Sequence, residues 1–495
     1  MKKNIKNNYI KAIACVSVVS IMAIAPSCKK SFLDVPAQAQ QASQVFWQTS
    51  DDATKGVNAI YANLRAWGNT AFPAIAIESM GADEAEKGSS ATDATYFNNY
   101  HNFTVDAADG QLSGFWGAQY QNINYCNQVL DNIPNITMDA SLKSRYLAEA
   151  KFVRALSYFR LVRAFGDVPL LIAVPKDDSQ YKIARSPKAT VYAQIEKDLT
   201  DAATVLPQSY GTADLGRATK GAALALHAKV SMYQKKWSDV LTYTNQVMTL
   251  GYSLLPVYDN VFRIAAENGP ESVFEIQASL VPGNPAASNS QYSQVQGVRG
   301  VTGGGWGFNV PTADLAAAFE TGDPRRDATI IFRGETTPQG DVIAATGDNP
   351  RYNQKSYVPF SLFQNGFNEG CQQNFRVIRY SDVLLMNAEA ANELGNSAQA
   401  IASLEVVRSR AREGNASILA KVTSTDQTVL RNAIWKERQV ELAMEYDRYF
   451  DVVRQGRGTA VFGVRGWKAN KNEVWPIPLT EIDLSGGLLT QNPGY

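Results

Sequence analysis

The chain has 495 residues, 45% of them hydrophobic and 19% charged, with 47 basic and 47 acidic side chains. That is material for a large core in an ordinary globular composition, and with no basic or acidic block it excludes a nucleic-acid surface built on a charge patch. Two histidines and four cysteines, none at metal-knuckle spacing, argue against a metal centre, and no cofactor fingerprint is present.

Residues 1–27 read as a secretory signal. Lys2, Lys3, Lys6 and Lys11 form a positive start, and Ala12 to Ala25 is apolar but shorter than the roughly 20 residues of a spanning helix. Small residues at Ala25 and Ser27 precede Cys28, which resembles the acceptor thiol of a bacterial lipoprotein. Removing the four lysines from the 47 basic residues leaves 43 against 47 acidic, a net of −4. Acyl chains on Cys28 would hold the protein on a membrane, each buried methylene contributing about 0.8 kcal/mol. Cys126 and Cys371 could bridge in an oxidising compartment, but their spacing resembles no disulfide framework and favours two buried small hydrophobes.

Asp51 to Trp67 carries Ala53, Val57, Ile60, Tyr61 and Leu64 on one helical stripe. Phe72 to Gly110 is polar and aromatic and reads as a long loop with short strands. Helices follow over Phe115–Ile133 and Tyr146–Phe165, the second stopped by Gly166-Asp-Val-Pro. Further helices are predicted over Ala189–Leu206, Gly221–Gln234 and Asp239–Leu250. Small residues at 222, 223, 225 and 228 allow close packing, and helix–turn–helix units near 117–166, 189–250 and 381–412 follow the logic of a tetratricopeptide-like scaffold. Val273-Phe-Glu-Ile is a short strand, Pro282–Gly307 a loop, Pro311–Phe319 a helix, and Ala328–Phe332 a strand. Thr336 to Gln373 is irregular.

From Arg379 the pattern is helical again. Leu384, Leu385, Ala388, Ala391 and Leu394 precede a Gly395-Asn396 stop, then Ala400, Leu404, Val407 and Ala411 form the return helix of an αα-hairpin. A long third helix places Ile434, Arg438, Glu441, Leu442 and Glu445 near one face, with Glu437, Arg438, Glu441 and Arg448 as a charge ladder at i,i+3/i+4 spacing. The prolines of Trp475-Pro-Ile-Pro rule out helix and central strand there, so the end reads as an extended tail pinned to the scaffold.

Several of these strings together resemble the SusD/RagB family of surface lipoproteins that help Bacteroidetes import nutrients. They are Arg379-Tyr-Ser-Asp-Val-Leu-Leu-Met-Asn-Ala-Glu-Ala, Glu437-Arg438 with Glu441-Leu442, Asp447-Arg448 leading to Asp451, Ala148-Glu-Ala-Lys-Phe-Val-Arg-Ala-Leu, and Gln491-Asn-Pro-Gly-Tyr495. Ser31-Phe-Leu-Asp-Val-Pro resembles the opening of the mature proteins. The resemblance implies a signal peptide at 1–27, an N-terminal region of helical pairs over 28–250 and a C-terminal region over 251–495. It also implies an outward-facing lipoprotein of the outer membrane, capping a SusC-like TonB-dependent transporter. The fold expected is mainly α, a helical-repeat scaffold with long loops and minor β structure.

No nucleophile elbow, P-loop or dinucleotide motif is present, and Gly303-Gly-Gly-Trp-Gly lacks the strand–turn–helix context of a phosphate cradle. Sugar rings offer apolar faces to aromatic side chains and a hydroxyl rim to polar ones. On that chemistry an oligosaccharide site is expected where two loops meet. One supplies Trp67, Tyr96, Phe97, Asn98, Asn99 and Tyr100, and the other Tyr292, Gln294, Arg299 and Trp306. Two further readings compete: a scaffold that binds only protein or peptide, and a glycosidase built on Asp83, Glu84 and Glu86. The expected role is binding without chemistry, at mM to μM affinity or roughly −4 to −8 kcal/mol, since a carrier must release its cargo.

Overall fold

The computed structural model describes residues 46–279, 281, 290–300, 304–362 and 372–495. Cys28, Cys371 and the expected signal lie outside them. The chain divides into two units, 1–48 and 49–495, and all the described helices and strands belong to the second.

The helices are α1 (Ser50–Leu64), α2 (Trp67–Thr70), α3 (Phe72–Glu78), α4 (Phe97–His101), α5 (Gly110–Asn132), α6 (Ala140–Phe165), α7 (Lys188–Val205), α8 (Lys220–Tyr233) and α9 (Trp237–Met248) in the first half. In the second half come α10 (Tyr292–Gln296), α11 (Ala313–Ala318), α12 (Arg325–Thr329), α13 (Tyr380–Glu393), α14 (Ser397–Ala411), α15 (Gln427–Glu441), α16 (Arg448–Arg454), α17 (Gly458–Phe462) and α18 (Leu479–Leu484). Strands β1 (Ala85–Gly88), β2 (Ser272–Ile276), β3 (Phe308–Pro311), β4 (Ile330–Phe332), β5 (Arg351–Asn353) and β6 (Phe375–Arg379) pair antiparallel as β1–β3, β2–β6 and β4–β5.

Polar caps set the helix starts. The Thr49 hydroxyl accepts from Asp52 N while the Asp52 carboxylate accepts from Thr49 N, a reciprocal box that begins α1. Asp109 and Asp139 cap α5 and α6 five to six residues earlier than the apolar stripe alone suggests, because Gln111 N and Leu142 N find their carboxylates. Gly166 ends α6 with φ +74°, a conformation that favours glycine. From α5 to α9 each helix packs on the next, α9 packs on α13, and α13 packs on both α14 and α15. This continuous stack of helical pairs is the tetratricopeptide-like scaffold expected from the sequence. Cys126 sits fully buried in α5.

Several expectations are corrected. The 72–110 stretch is not only loop and strand, since it contains α3 and α4; α3 is buried at Pro73 through Glu78 on all sides, so it has no amphipathic stripe to read. Likewise α10 lies within the 282–307 stretch read as loop, and α18 follows Pro478 in the tail read as extended, where a proline just before the first turn costs nothing. The long third helix is two helices. It stops at Glu441, and Met444 and Tyr446 take φ of +64° and +69° before α16 begins.

Tertiary partners make that break. The Glu441 carbonyl accepts from Tyr258 Oη at 2.5 Å, Lys355 Nζ at 3.0 Å and Arg379 Nη2 at 3.0 Å, and Met444 N donates to Glu84 Oε1 at 2.8 Å. The backbone groups a continuing helix would use are therefore already satisfied elsewhere.

Nor do the charged residues of α15 pair with one another as a ladder along the helix. Glu441 is fully buried and accepts from Arg410 of α14 at 2.5 Å, Arg379 of β6 at 3.1 Å and Arg325 of α12 at 3.1 Å. Glu437 meets Arg325 and Arg408 at 2.6 and 2.7 Å, Arg438 meets Asp382 and Asp451 at 2.8 and 2.9 Å, and Arg448 meets Asp83 at 2.7 Å. Each pair joins separate elements. The tail is fixed comparably: Trp475 is fully buried, its indole donates to Ile77 O at 3.0 Å, and its N donates to Ala164 O at 2.8 Å.

Burial pushes the Glu441 pKa up, but Arg410, Arg379, Arg325 and Lys355 outweigh it and hold the carboxyl well below its ordinary 4.5. Its contribution is then complete above about pH 4.5 and lost as pH falls towards the lower folded value. Glu441→Ala, which takes one carboxylate from each of three buried guanidinium groups, is expected to lower unfolding free energy by about 3–5 kcal/mol in urea titration at pH 7. An unchanged midpoint would remove Glu441 from this role.

Candidate functional site

The two loops expected to meet do so through backbone pairing. β1 and β3 run antiparallel with Glu86 opposite Val310 and Gly88 opposite Phe308, and Ser89 N donates to Gly307 O at 2.6 Å. Thr70 Oγ1 donates to Ser290 O at 2.6 Å, which ties α2 to the second loop. α2 can lie this close to α5 because Gly68 has no side chain; a Cβ there would meet Ala118 Cβ at 2.6 Å.

The result is a two-tier aromatic cluster. Trp67, 38% exposed, and half-buried Trp306 have ring centroids 6.1 Å apart with planes inclined at 50°. Phe72 backs both, at 5.1 Å from Trp67 and 5.8 Å from Trp306. Beneath it lie Phe97 at 5.1 Å and Phe308 at 4.8 Å, both buried, and half-buried Tyr96 lies 4.9 Å from Phe97. Aromatic pairs at such separations add roughly 0.5–1.5 kcal/mol each beyond area burial, so the outer rings sit on a stiff base.

Polar groups rim the rings. Asn98 and Asn99 are exposed on α4. Arg299 is half-buried, donates to Ser89 Oγ at 2.7 Å and Trp306 O at 3.3 Å, and lies 3.6 and 3.8 Å from the carboxylates of Asp93 and Asp348. The Lys87 ammonium donates to the carbonyls of Gly88, Ser90 and Asp93, drawing the 88–93 loop into one shape.

Of the ten ligand-binding candidates, Trp67, Tyr96, Asn98, Asn99, Arg299 and Trp306 keep exposed surface in this one region. The other four are corrected to internal positions. Phe97 is base rather than face. Tyr100 is fully buried, donating to Asp109 Oδ1 at 2.8 Å with its ring against Trp475. Tyr292 packs on Phe375 in the interior. Gln294 is buried and its carbonyl accepts Trp306 N at 2.8 Å, so it aims the indole without presenting a side chain. Phe72 and Phe308 were not anticipated; their signal is only aromatic character beside the chosen residues, and pairing across β1–β3 is what brings them together.

Neighbouring carboxylates point apart. Asp83 is held by Arg448 through two contacts of 2.7 Å, Glu86 lies 3.2 Å from Arg351, and Glu84 is buried against Met444 N. They do not flank a common opening, which is what a glycosidase pair requires. Trp237 and Trp435 are half-buried, while Trp116 is buried.

Burial, then the charge of Asp83, pushes the Glu84 pKa up from 4.5 to about 8. Its Oε2 has no hydrogen-bond partner, as suits a protonated acid held in the interior. A raised folded pKa contributes stability that is complete below pH 4.5 and lost as pH rises through 8. Glu84→Gln is therefore expected to gain on the parent between pH 4.5 and 8 and hold a constant advantage above 8, read from urea midpoints. A difference that does not vary with pH would show Glu84 to be charged throughout.

Comparison with known proteins places this architecture. Residues 270–495 match the family described as "SusD family", and residues 31–232 match the one described as "Starch-binding associating with outer membrane". The chain is 29% identical to SusD-like protein P2 of Formosa agariphila over 92% of this chain and 94% of that one. Among solved structures, a laminarin-binding SusD-like protein superposes with a TM-score of 0.79 at 29% identity, covering 90% of this chain and 100% of that one. Surface glycan-binding protein A of Bacteroides thetaiotaomicron, in complex with laminarihexaose, superposes at 0.76 with 23% identity and shares the fold over 90% of this chain and 100% of its own. The chain belongs to the SusD family.

Proposed function

We propose that this protein binds an oligosaccharide across Trp67 and Trp306 and hands it, unaltered, to a SusC-like TonB-dependent transporter. The observation that carries the binding step is the pair of accessible indoles 6.1 Å apart on a rigid aromatic base, rimmed by amides and Arg299. Two faces inclined at 50° follow a curved glycan better than a flat ribbon. The laminarin-binding relative supports a glycan of that kind as cargo. Cys28 carries the acyl anchor in this reading, and the outer-membrane association in the matched family's description supports the location. The helical stack offers the transporter a broad face while the loops hold the cargo.

Trp67→Ala and Trp306→Ala are each expected to weaken laminarihexaose binding at this site about tenfold, the loss of roughly one ring's stacking contribution. Calorimetry on folded variants reads this. A double variant that binds at this site as well as the parent would refute the assignment. Cys28→Ser is expected to lose radiolabelled palmitate and membrane association while keeping sugar affinity; label retained on the variant would refute the anchor.

A further inference from the structure

A second recess lies elsewhere on the molecule. It is a groove of about 630 Å³ between α5, the 169–183 segment and the C-terminal stretch around α18. Helical spacing sets it apart from the Trp67–Trp306 platform. Gly114 and Ala118 of α5 face α2, whereas Trp116, Tyr120 and Asn124, on the opposite side of the same helix, line the groove.

The groove is preformed. Tyr120 Oη donates to Pro169 O at 2.7 Å, Asn127 Nδ2 to Leu171 O at 3.0 Å, and Tyr158 Oη to Leu171 O at 2.8 Å, fixing one wall to the helices. The Ser113 and Thr480 hydroxyls meet at 2.9 Å and fix the other. Arg185 Nη1 donates to Thr490 O at 2.9 Å, tying the wall segment to the tail. Such a site spends little ordering entropy on binding.

Its lining has unspent chemistry. Tyr181 stands 63% exposed at the rim as a free aromatic face. The side-chain amides of Gln121 and Asn124 have no partner among the described residues, nor does the half-buried Glu481 carboxylate. Burial raises the Glu481 pKa, a sign of a carboxylate short of donors. Lys182 stands on the same lining. One acid and one base give no net pull on a charged ligand. Two amides, a carboxylate and an ammonium provide donors and acceptors together, and the tyrosine covers a C–H face.

We propose that this groove is a second saccharide site, which takes a short neutral oligosaccharide by stacking on Tyr181 and hydrogen bonding to Glu481, Asn124 and Gln121. It uses residues separate from the platform and stands without it. Two sites on opposite sides of α5 would let one protein hold a polysaccharide at two points, multiplying retention through effective concentration.

The test is hydrogen-exchange mass spectrometry and calorimetry on the full-length protein with laminarihexaose, cellohexaose, maltohexaose and mannohexaose. At least one hexaose is expected to protect segments 171–183 and 481–489, and to do so still in the Trp67→Ala/Trp306→Ala variant. Tyr181→Ala with Glu481→Gln is expected to weaken that binding at least tenfold and leave the platform's affinity unchanged. Protection by none of the four sugars, protection only when a transporter is added, or affinity indifferent to Tyr181 and Glu481 would each overturn the proposal. Groove protection that survives while the Trp67→Ala/Trp306→Ala variant binds at its own site like the parent would overturn the platform reading alone.

Discussion

The structure turns on one buried carboxylate. Glu441, the last residue of α15, collects guanidinium groups from α14, β6 and α12, and its carbonyl collects a phenol, an ammonium and one of the same guanidiniums. A buried ion is costly unless its whole surroundings answer it. Here they do, and the cost of leaving any partner unanswered fixes where three elements sit relative to the helical stack. Such networks are weak evidence for stability against an apolar alternative, but they specify a unique arrangement by penalising others. A second cluster around Arg438, with Asp382, Asp451, Lys229 and Asp447, does the same for α8, α13 and α16.

From that centre the constraint reaches the platform in a few steps. Beyond Glu441 the chain turns through two residues of positive φ, and Met444 N donates to the buried Glu84 carboxyl group. Asp83 beside it is clamped by Arg448. These anchors hold the start of β1, β1 pairs with β3, and β3 carries Phe308 under Phe72 and the indoles. Acidic side chains that look available for chemistry in the sequence are thus the bolts that mount the aromatic cluster. Stiffness of this kind keeps the rings in place, so that little freedom is lost when something rests on them.

The scaffold is also economical with its helices. α5 presents one side to α2 and the opposite side to the groove beside α18, so a single helix backs two separate surfaces. Its length, 23 residues, spans both because Asp109 caps it ahead of the apolar stripe. Tryptophans follow the same division: Trp116 fills the floor of the groove, whereas Trp67 and Trp306 stand at the surface.

Much of this was legible in the amino-acid sequence. The paired helices from α5 to α9 and from α13 to α14 were visible through apolar or small residues repeating at helical spacing, with Gly166 and Gly395-Asn396 marking the ends of α6 and α13. That the Trp67 and Trp306 loops belong together was legible from their shared chemistry of rings and amides. Hidden were the features in which period and polarity mislead. α3 is apolar all round, and α15 stops where its pattern runs on, because Tyr258, Lys355 and Arg379, distant in sequence, take its final carbonyl. Tyr100, Tyr292 and Gln294 share the composition of a sugar site, yet exposure is a property of neighbours rather than of residue type. Local sequence determined which segments are helical and which side of each must be covered; only the tertiary structure decided which charges are buried, where α15 ends, and which aromatic rings are left facing water. Those outcomes depend on long-range partners that desolvate a group or satisfy it, and no short window of residues contains them.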